Sequence, residues 1–404
     1  MEISRRMQMS LHKWLAAVVK SVKPIYLIYF YLLSTVLKIT GKFIKPQKII
    51  LLNSYGGKKF DDSPRALFEA MVNDKRFSDW KFVWAFHQPD KFDVPQAEKI
   101  KTDSVKYFLT ALRARIWITN SAIERGLSFK SANTFYINTW HGSAIKKMGN
   151  DIAADNKSFR SQAKMNVDII NAQNVEQAKI FSRVFNIPLD KFIVCGYPRN
   201  DKLCSVNKSD YINIRKKLNI PMDKKVILYA PTFREFERDG AGCVLKPPID
   251  LKKWQQELAD KYILLFRAHY EVAKVMAIDD NRFVYNMTAY PDLNELMIAS
   301  DMLISDYSSI IFDYSLLNKP MLHFCYDYDK YAKLRGMYFD IRDYLNGSDN
   351  EDALIKILQN FNLESEKRQL KKFSDKFNLQ DGNAAMITVN KLAENIGLDL
   401  GAKK

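Results

Sequence analysis

Residues 48–71 read KIILLNSYGGKKFDDSPRALFEAM, and this stretch holds the first strand, loop and helix of a repeating pattern. Lys48–Asn53 has an apolar centre of strand length, which is typical of a β-strand buried on both faces of a sheet. Asp62-Ser63-Pro64 begins a helix that continues through Met71, because Asp or Ser can cap the helix and proline suits its first turn. A buried strand that leads through a glycine-containing loop into a helix is the unit of parallel α/β sheets.

The same unit recurs along the chain and predicts an α/β fold of two successive Rossmann-like lobes. Further strands are predicted at Lys81–Phe86, Ile116–Thr119, Thr134–Trp140, Val167–Asn171, Phe192–Cys195, Val226–Tyr229, Tyr262–Phe266, Phe283–Tyr285, Met302–Ser305 and Met321–Phe324. A Lys-rich helix that ends at Ile220-Pro221 separates the two series of strands. We predict a helical segment at 1–47, a first lobe at 48–205, a second lobe at 206–380, and a closing helix and tail at 381–404 that the sequence assigns to neither lobe.

The charge of the chain points to an anionic partner. Among 404 residues, 62 Lys and Arg oppose 46 Asp and Glu, which leaves a net charge of +16. An excess of this size favours a phosphate-rich substrate, an acidic lipid or a nucleic acid. Residues 1–48 alone hold nine basic residues against the single acid Glu2. Because the excess concentrates on an apolar N-terminus and no nucleic-acid-binding motif appears, we expect no nucleic-acid partner.

Residues 1–47 are predicted to associate with a membrane surface. Apolar side chains from Met7 to Val22 recur at helical spacing, so this stretch is predicted to form an amphipathic helix that Pro24 ends. The apolar run Ile25–Leu37 that follows has 13 residues, fewer than the roughly 20 that a spanning helix needs. We therefore expect peripheral, monotopic helices in the interface of an anionic membrane. The alternative is that they pack on the body of the protein or form a hairpin that joins copies into a homo-oligomer.

Reactive side chains fall where predicted strands end, which is the edge where open α/β sheets bind ligands. His141 follows the strand Thr134–Trp140 and precedes Gly142 and Ser143. Glycine permits close approach of the backbone, and a helix expected to follow would offer free N–H groups to an anion. Lys146 adds positive charge to the same loop. A histidine in this setting is either a functional group or a structural one, and its neighbours favour function.

Further candidates follow other predicted strands. Arg199 lies after the strand Phe192–Cys195, where its guanidinium can fork onto phosphate. Thr232 and Arg234 offer a hydroxyl and a guanidinium at the end of the first strand of the second lobe. Arg267 and His269 share the end of the strand Tyr262–Phe266. The alternatives are tight turns that carry surface arginines, and a histidine that only packs.

The segment after Met302–Ser305 suggests a phosphate site. Ser308 and Ser309 can cap a helix that begins near Ile310, and the N–H groups of that helix can hold phosphate. Asp313, about one turn into the helix, suits a ribose-type hydroxyl. The alternative for the serines is capping alone. Asp327-Tyr328-Asp329 has the form of a metal-binding D-x-D, but we interpret it as a solvated turn and predict no metal site.

Together these motifs resemble the CDP-glycerol glycerophosphotransferase family, whose members prime and polymerise teichoic acids. The similarity runs from about Lys48 to Tyr331 and rests on Thr139–Ser143, Gly196–Asp201, Tyr229–Arg234, Arg267-x-His269 and the run from Asp292 through Ser308-Ser309 to Tyr314. The resemblance implies a GT-B-like fold, in which two Rossmann-like lobes enclose a cleft and the second lobe binds a CDP-alditol. It also implies action at the cytoplasmic face of the cell membrane.

The resemblance assigns roles to individual residues. His141 and His269 are similar to the catalytic histidines of the family. Donor contacts are implied for Gly142, Ser143, Arg199, Thr232, Arg267, Ser308, Ser309 and Asp313. The acceptor side is expected at Lys58, Asp62, Arg65 and Lys146. Two departures from the family pattern, Ser143-Ala144 and Tyr270, replace Thr-Pro and Pro, and they bear on loop rigidity and on the choice of donor headgroup.

The reaction expected from this resemblance is transfer of glycerol phosphate, or another alditol phosphate, from a CDP-activated donor to an acceptor hydroxyl, with release of CMP. The acceptor is expected to be a lipid-linked saccharide or a poly(alditol phosphate). No cofactor and no divalent cation are expected, because arginine and histidine cations can balance the developing charge. The alternatives are a CDP-ribitol-dependent enzyme, a GT-B glycosyltransferase that uses a nucleotide-sugar, and a non-catalytic scaffold at the membrane surface.

Overall fold

A computed structural model describes residues 22–152, 165–232, 234, 246–268, 280–377 and 382–398, together with residues 272, 276 and 278. The first lobe is built on a seven-stranded sheet in the order β3-β2-β1-β4-β5-β6-β7. Its strands are β1 (Gln47–Asn53), β2 (Lys81–Phe86), β3 (Glu98–Lys101), β4 (Ala114–Thr119), β5 (Phe135–Asn138), β6 (Ile169–Ala172) and β7 (Phe192–Val194). The helices described up to β7 are α1 (Lys23–Lys42), α2 (Asp62–Val72), α3 (Val105–Arg113) and α4 (Val175–Phe185).

The second lobe is built on a six-stranded sheet in the order β10-β9-β8-β11-β12-β13. Its strands are β8 (Lys225–Ala230), β9 (Tyr262–Phe266), β10 (Val284–Asn286), β11 (Met302–Ser305), β12 (Met321–Phe324) and β13 (Asn346–Ser348). The described helices from β7 onward are α5 (Asp201–Cys204), α6 (Lys208–Lys217), α7 (Leu251–Leu258), α8 (Leu293–Ala299), α9 (Ile310–Ser315), α10 (Tyr328–Arg335), α11 (Glu351–Gln359), α12 (Leu363–Phe377) and α13 (Ala384–Asn395).

Every paired strand in both sheets is parallel. In each sheet the strand order reverses beside the first strand of the lobe, between β1 and β4 and between β8 and β11. Loops on the two sides of such a reversal leave the sheet in opposite directions and open a crevice at the carboxyl ends of the strands. The predicted α/β architecture of two Rossmann-like lobes is therefore confirmed, and each lobe presents one crevice.

The segment around His141 differs from its prediction. β5 ends at Asn138, two residues before the predicted end, because Trp140 adopts a left-handed φ of 53° and its N–H donates to the Asn138 side chain at 2.8 Å. A helix directly after His141 was expected, and this is wrong for the described residues: residues 142–148 are not helical, and a 3-10 turn lies at Gly149–Asp151. The N–H of Ala144 donates to the Gln177 side chain at 2.6 Å, so it is not a free helix terminus.

The N-terminal helix is longer than the apolar run suggested. α1 has 20 residues, and Pro24–Lys42 is long and apolar enough to cross a membrane by length and composition alone. The expectation that this run is too short to span is therefore wrong. One face of α1, with Phe30, Leu33 and Leu37, packs on the core of the first lobe. The amphipathic helix predicted over Met7–Val22 lies outside the described residues except for Val22, which caps α1.

The closing helix α13 packs against the first lobe. Val389 and Leu392 are buried in one cluster with Leu67, Phe68 and Met71 of α2. By contrast, α12 contributes Leu370, Phe373 and Phe377 to a core cluster of the second lobe. The chain therefore crosses from the first sheet to the second after β7 and returns to the first lobe between α12 and α13.

Candidate active site

A cavity of about 330 Å³ lies between the lobes, where the crevices of the two sheets face each other. We call it the first cavity. Side chains from loops that follow strands of both lobes line it. They include Tyr55, Asp61, Asp62, His141 and Arg199 of the first lobe and Arg267, Leu293, Asn294, Ser308, Ser309 and Asp313 of the second.

One ring nitrogen of His141 is hydrogen-bonded to the backbone, and the other is available to act on a substrate. Its Nδ1 lies 2.8 Å from the backbone oxygen of Asn120, the residue after β4. A carbonyl oxygen can only accept a hydrogen bond, so Nδ1 carries the proton and Nε2 of the neutral ring keeps its lone pair. The Trp140 ring lies 4.2 Å from the imidazole, centroid to centroid. The neutral ring is thereby fixed in one tautomer with Nε2 available as a proton acceptor.

The imidazole is accessible to solvent from the cleft, while protein atoms surround most of the residue. Burial of the charged form lowers the pKa of His141 from its ordinary value of 6.5. The Asn120 carbonyl and the Asp62 carboxylate oppose this shift, and the Arg199 cation adds to it. The net effect favours the unprotonated ring at neutral pH, as a proton acceptor requires.

Arg199 forms ion pairs with both lobes and is not left unpaired in the cavity. Nη1 donates to both carboxylate oxygens of Asp62 at 3.2 and 3.3 Å, and Nη2 donates to those of Asp313 at 3.2 and 3.0 Å. Asn200 donates a further bond to Asp313 at 2.6 Å. The guanidinium predicted to fork onto phosphate is therefore engaged by two carboxylates, one from each lobe. We call this group, Asp62, Arg199, Asn200 and Asp313, the interlobe clasp.

The carboxylates of the interlobe clasp have different electrostatic surroundings. Burial raises the pKa of Asp62, but the Arg199 cation, the Tyr55 hydroxyl at 2.5 Å and the Ser63 N–H outweigh it, so the net pKa is lowered. Burial also raises the pKa of Asp313, and there Arg199 and Asn200 offset it only in part. Asp62 has a left-handed φ of 66°. Its carboxylate contacts Tyr55 and Arg199. Of the helix capping predicted for Asp62, only a hydrogen bond from the adjacent N–H of Ser63 is present.

Arg267 and the serines belong to the second lobe. Arg267 Nη1 donates to the backbone oxygens of Met287 and Tyr290 at 2.8 and 2.5 Å, and burial lowers its pKa. Ser308 Oγ accepts a long bond of 3.4 Å from the N–H of Ile310, whereas the Ser309 side chain makes no capping bond. The predicted serine cap is therefore weak, which leaves the hydroxyl of Ser309 at the surface of the cavity.

Two interpretations from the sequence are wrong. Arg234 is buried: it donates to Asp306 at 2.9 Å and, through Nε and Nη2, to Asp327 at 2.7 and 2.8 Å, so its guanidinium is not offered to a ligand. Asp327 is accordingly not part of a solvated turn, since it also accepts a bond of 2.9 Å from the Tyr307 hydroxyl. Among the residues that the structure describes, no group of three or more His, Cys, Asp or Glu side chains could hold a metal ion.

A second cavity of about 290 Å³ lies beside the first. Gly142 of the second cavity closely approaches Ser309, because a Cβ at position 142 would lie only 2.5 Å from Ser309 Oγ. His141, Ser308 and Ser309 line both cavities. The residues that line only the second cavity include Gly142, Ser143, Lys146, Thr232 and Arg335.

The predicted site residues thus fall into groups. Asp62, His141, Arg199, Arg267, Ser308, Ser309 and Asp313 line the first cavity, and Gly142, Ser143, Lys146 and Thr232 line the second. Arg65 lines a neighbouring depression beside α2, where it donates to Glu69 at 2.7 Å. Lys58 is exposed and lines neither cavity in the described part of the chain. His269 lies outside the described residues, so its distance from His141 stays a prediction.

Several residues at the site were not predicted, among them Tyr55, Asn120 and Asn294. Asn120 directly follows β4, and Tyr55 is the second residue after β1. The strand-end rule that selected His141 could therefore have found both. Asn294 lies in the run from Asp292 to Tyr314 that carries the family resemblance, but no role was predicted for it. Its amide donates to the backbone oxygen of Arg199 at 2.7 Å across the cleft, a contact between positions far apart in the sequence.

The family of the chain follows from comparison with known proteins. A family model described as CDP-Glycerol:Poly(glycerophosphate) glycerophosphotransferase matches residues 36–394. The chain belongs to this family. The predicted family and the predicted enzymatic class are therefore confirmed.

Relatives within the family are teichoic acid enzymes. The teichoic acid glycerol-phosphate transferase of Staphylococcus aureus is 36% identical over 346 residues, which cover 80% of this chain and 86% of that protein. The teichoic acid poly(glycerol phosphate) polymerase of Staphylococcus epidermidis is 36% identical over 361 residues and 85% of this chain. The match covers only 50% of the length of that polymerase.

The solved structure of the wall teichoic acid polymerase TagF has the same fold. It superimposes with a TM-score of 0.79 at 32% identity, over 97% of this chain and 100% of that one. A variant of TagF soaked with CDPG superimposes with the same score over 96% of this chain. This member of the glycerophosphotransferase family therefore has the GT-B fold of TagF, as predicted.

Proposed function

We propose that the chain transfers glycerol phosphate from CDP-glycerol to a hydroxyl of a lipid-linked acceptor or a growing poly(glycerol phosphate), and releases CMP. The observation that carries the proposal is the tautomer of His141, whose Nε2 is free to accept a proton at a cavity between the lobes. Membership of the glycerophosphotransferase family supports the donor class. The cavity places a proton acceptor near hydroxyl and guanidinium groups that can donate hydrogen bonds, as transfer of a phosphoryl group requires.

The proposed reaction is an in-line displacement at phosphorus. His141 Nε2 takes the proton of the acceptor hydroxyl while its oxygen bonds to the phosphorus that bears glycerol. The bond from that phosphorus to the bridging oxygen breaks, and CMP leaves with the bridging oxygen and its electron pair. Arg267, the hydroxyls of Ser308 and Ser309, and His269 in its protonated form are proposed to stabilise the charge that develops.

The relatives favour glycerol over ribitol as the alditol. Relatives named for glycerol phosphate reach 36% identity over 80% of this chain. The relative named as a poly(ribitol-phosphate) polymerase is 32% identical over 56% of it. Purified full-length protein should therefore release CMP from CDP-glycerol in the presence of a glycerol-phosphate-primed acceptor. It should release little from CDP-ribitol, and no UDP from a UDP-sugar, which would be the product of the alternative glycosyltransferase.

We also propose that no divalent cation is required. The carboxylates Asp62 and Asp313 at the first cavity are already paired with Arg199 and are not open for a metal ion. EDTA in excess should leave CMP release within about two-fold of its value with added Mg²⁺. A loss of turnover that Mg²⁺ restores would refute this proposal without affecting the choice of donor.

Gly142→Ala should lower turnover by about 10²-fold, the cost expected for a displacement of roughly 1 Å at a catalytic group. A Cβ at position 142 would lie 2.5 Å from Ser309 Oγ, so His141 and the serines would have to move apart. The measurement is steady-state CMP release, with thermal unfolding of the same variant as a control for folding. Unchanged turnover in a folded variant would show that the close approach of Gly142 to Ser309 is not needed.

We propose that the exposed face of α1 docks on an anionic membrane surface at its cytoplasmic side. The side chains of Ile28, Tyr31 and Leu32 are apolar or aromatic and are 68%, 64% and 62% exposed. The opposite face packs on the first lobe, so the exposed face points away from the protein. An apolar face beside basic residues is typical of a helix that lies in the membrane interface.

Ile28→Glu combined with Leu32→Glu should lower cosedimentation with vesicles that contain anionic phospholipid by at least about 10-fold, because the two substitutions remove buried apolar area from the contact. Turnover of a soluble acceptor should not change. Leu363→Glu, at a 47% exposed apolar position of α12 in the second lobe, is the matched control. If vesicle binding persists but the sedimentation coefficient of the free protein falls, the face instead joins two copies of the chain.

A further inference from the structure

We infer that the second cavity binds the phosphodiester that precedes the terminal hydroxyl of the acceptor, with Arg335 and Lys146 as its cationic contacts. The inference rests on the proposed function and specifies how the acceptor is recognised. It assigns a binding role to Arg335, at the end of α10. It also places Gly142, Ser143 and Thr232, for which the resemblance implied donor contacts, on the acceptor side of the site.

The direction of attack decides which cavity the acceptor occupies. His141, Ser308 and Ser309 line both cavities, so the phosphorus that they contact lies at the boundary between them. In an in-line displacement the attacking and leaving oxygens lie on opposite sides of phosphorus. If the nucleotide occupies the first cavity, beside Asp313 and Asn294, the acceptor hydroxyl must approach from the second.

The two cavities differ in the charge of their lining. The first cavity has the carboxylates of Asp61, Asp62 and Asp313 beside two arginines. The described lining of the second cavity includes Lys146 and Arg335 and no carboxylate. In addition, Arg335 makes no ion pair with any side chain in the described ranges. The second cavity therefore offers net positive charge to an anionic group that enters it.

Backbone contacts between the lobes hold the segments that carry the two cations. Lys146 belongs to the first lobe and Arg335 to the second, and a short antiparallel contact fixes their separation. Lys147 N donates to the oxygen of Gly336 at 3.0 Å, and Tyr338 N donates to the oxygen of Ile145 at 2.8 Å. Lys146 Nζ lies over the Tyr331 ring, 5.5 Å from its centroid. A phosphodiester between these cations would bridge the two lobes.

The second cavity also offers a hydrogen-bond donor. The hydroxyl of Thr232 is buried at the second cavity and has no hydrogen-bond partner among the described residues. A buried hydroxyl without a partner costs free energy, which a ligand oxygen can recover. An ionised phosphodiester is a strong acceptor and matches a hydroxyl and two cations. A poly(alditol phosphate) carries one such group beside each terminal unit, whereas a neutral saccharide carries none.

The experiment compares two synthetic acceptors that end in the same glycerol unit. In one the last phosphodiester is natural, and in the other an uncharged methylphosphonate replaces it. With wild-type protein and CDP-glycerol, kcat/KM should be about 10-fold or more higher for the natural acceptor, the factor expected for lost charge-assisted hydrogen bonds. Arg335→Gln and Lys146→Gln should each raise KM for the natural acceptor by about 10-fold and reduce the preference between acceptors, while KM for CDP-glycerol stays constant.

Lys333→Gln is the matched control, because Lys333 is an exposed cation of the same helix that lines neither cavity in the described chain. It should leave both acceptor KM values unchanged. Equal kcat/KM for the two acceptors with wild-type protein would overturn the inference. So would an Arg335→Gln variant that changes KM for CDP-glycerol instead. If wild-type protein does not release CMP from CDP-glycerol with either acceptor, the proposed function itself fails, which is a distinguishable result.

Discussion

His141→Ala should lower kcat by about 10²–10⁴-fold, the range that a positioned general base contributes. The backbone oxygen of Asn120 holds the proton on Nδ1, so Nε2 is the ring atom that accepts the proton of the acceptor hydroxyl. Binding of CDP-glycerol, measured by calorimetry, should change little, since the ring acts on the acceptor. Near-normal kcat in a folded His141→Ala protein would end the assignment of His141 as the base.

The pH dependence provides an independent check. Protonated His141 cannot accept a proton, so kcat/KM should rise with pH as the ring loses its proton. Because burial lowers the pKa of His141 below 6.5, this rise should be centred below pH 6.5 and turnover should be fully developed at neutral pH. His87→Ala is the matched control: His87 contacts Thr102 at 2.7 Å, does not line either cavity in the described chain, and should leave the profile unchanged.

Arg199→Met should lower the free energy of unfolding by about 3–5 kcal/mol, the cost of leaving buried charges without their partner. The Arg199 side chain is only 12% exposed, and those of Asp62 and Asp313 are 3% and 7% exposed. Urea unfolding at neutral pH measures the change. Arg199→Lys should also destabilise the protein, because an ammonium group cannot reach two carboxylates as the guanidinium fork does.

Two further measurements test the cause of this loss. Asp313→Asn introduced into Arg199→Met should recover part of the stability, because it removes one unpaired carboxylate. The pH dependence has a definite sign: since the pKa of Asp62 is lowered from 3.8, its contribution to stability is present above that pH and is lost as the pH falls through the lowered pKa. A wild-type protein and an Arg199→Met variant of equal stability would show that the interlobe clasp does not couple the lobes.

The central strands could be predicted closely. Lys81–Phe86, Tyr262–Phe266 and Met302–Ser305 begin and end as predicted, because central parallel strands are buried on both faces and appear as continuous apolar runs. β3 and β13 were not predicted. They are edge strands with the sequences EKIK and NGS, and their half-exposed positions remove the apolar signal.

The sequence could predict many of the residues that belong to the site, but not how they contact one another. Strand ends selected His141, Arg199 and Asp313, since that rule depends only on the alternation of elements. The pairing of Arg199 with Asp62 and Asp313 joins positions 137 and 114 residues apart, and no local pattern specifies such contacts. The close approach of Gly142 to Ser309 likewise depends on how the two lobes meet.

The return of α13 to the first lobe affects how the chain is made. Val389 and Leu392 complete a core that otherwise consists of residues from the first half of the sequence. During synthesis that core cannot close until α13 has left the ribosome. A nascent chain that ends after β7 still exposes the apolar surface of α2 that α13 covers.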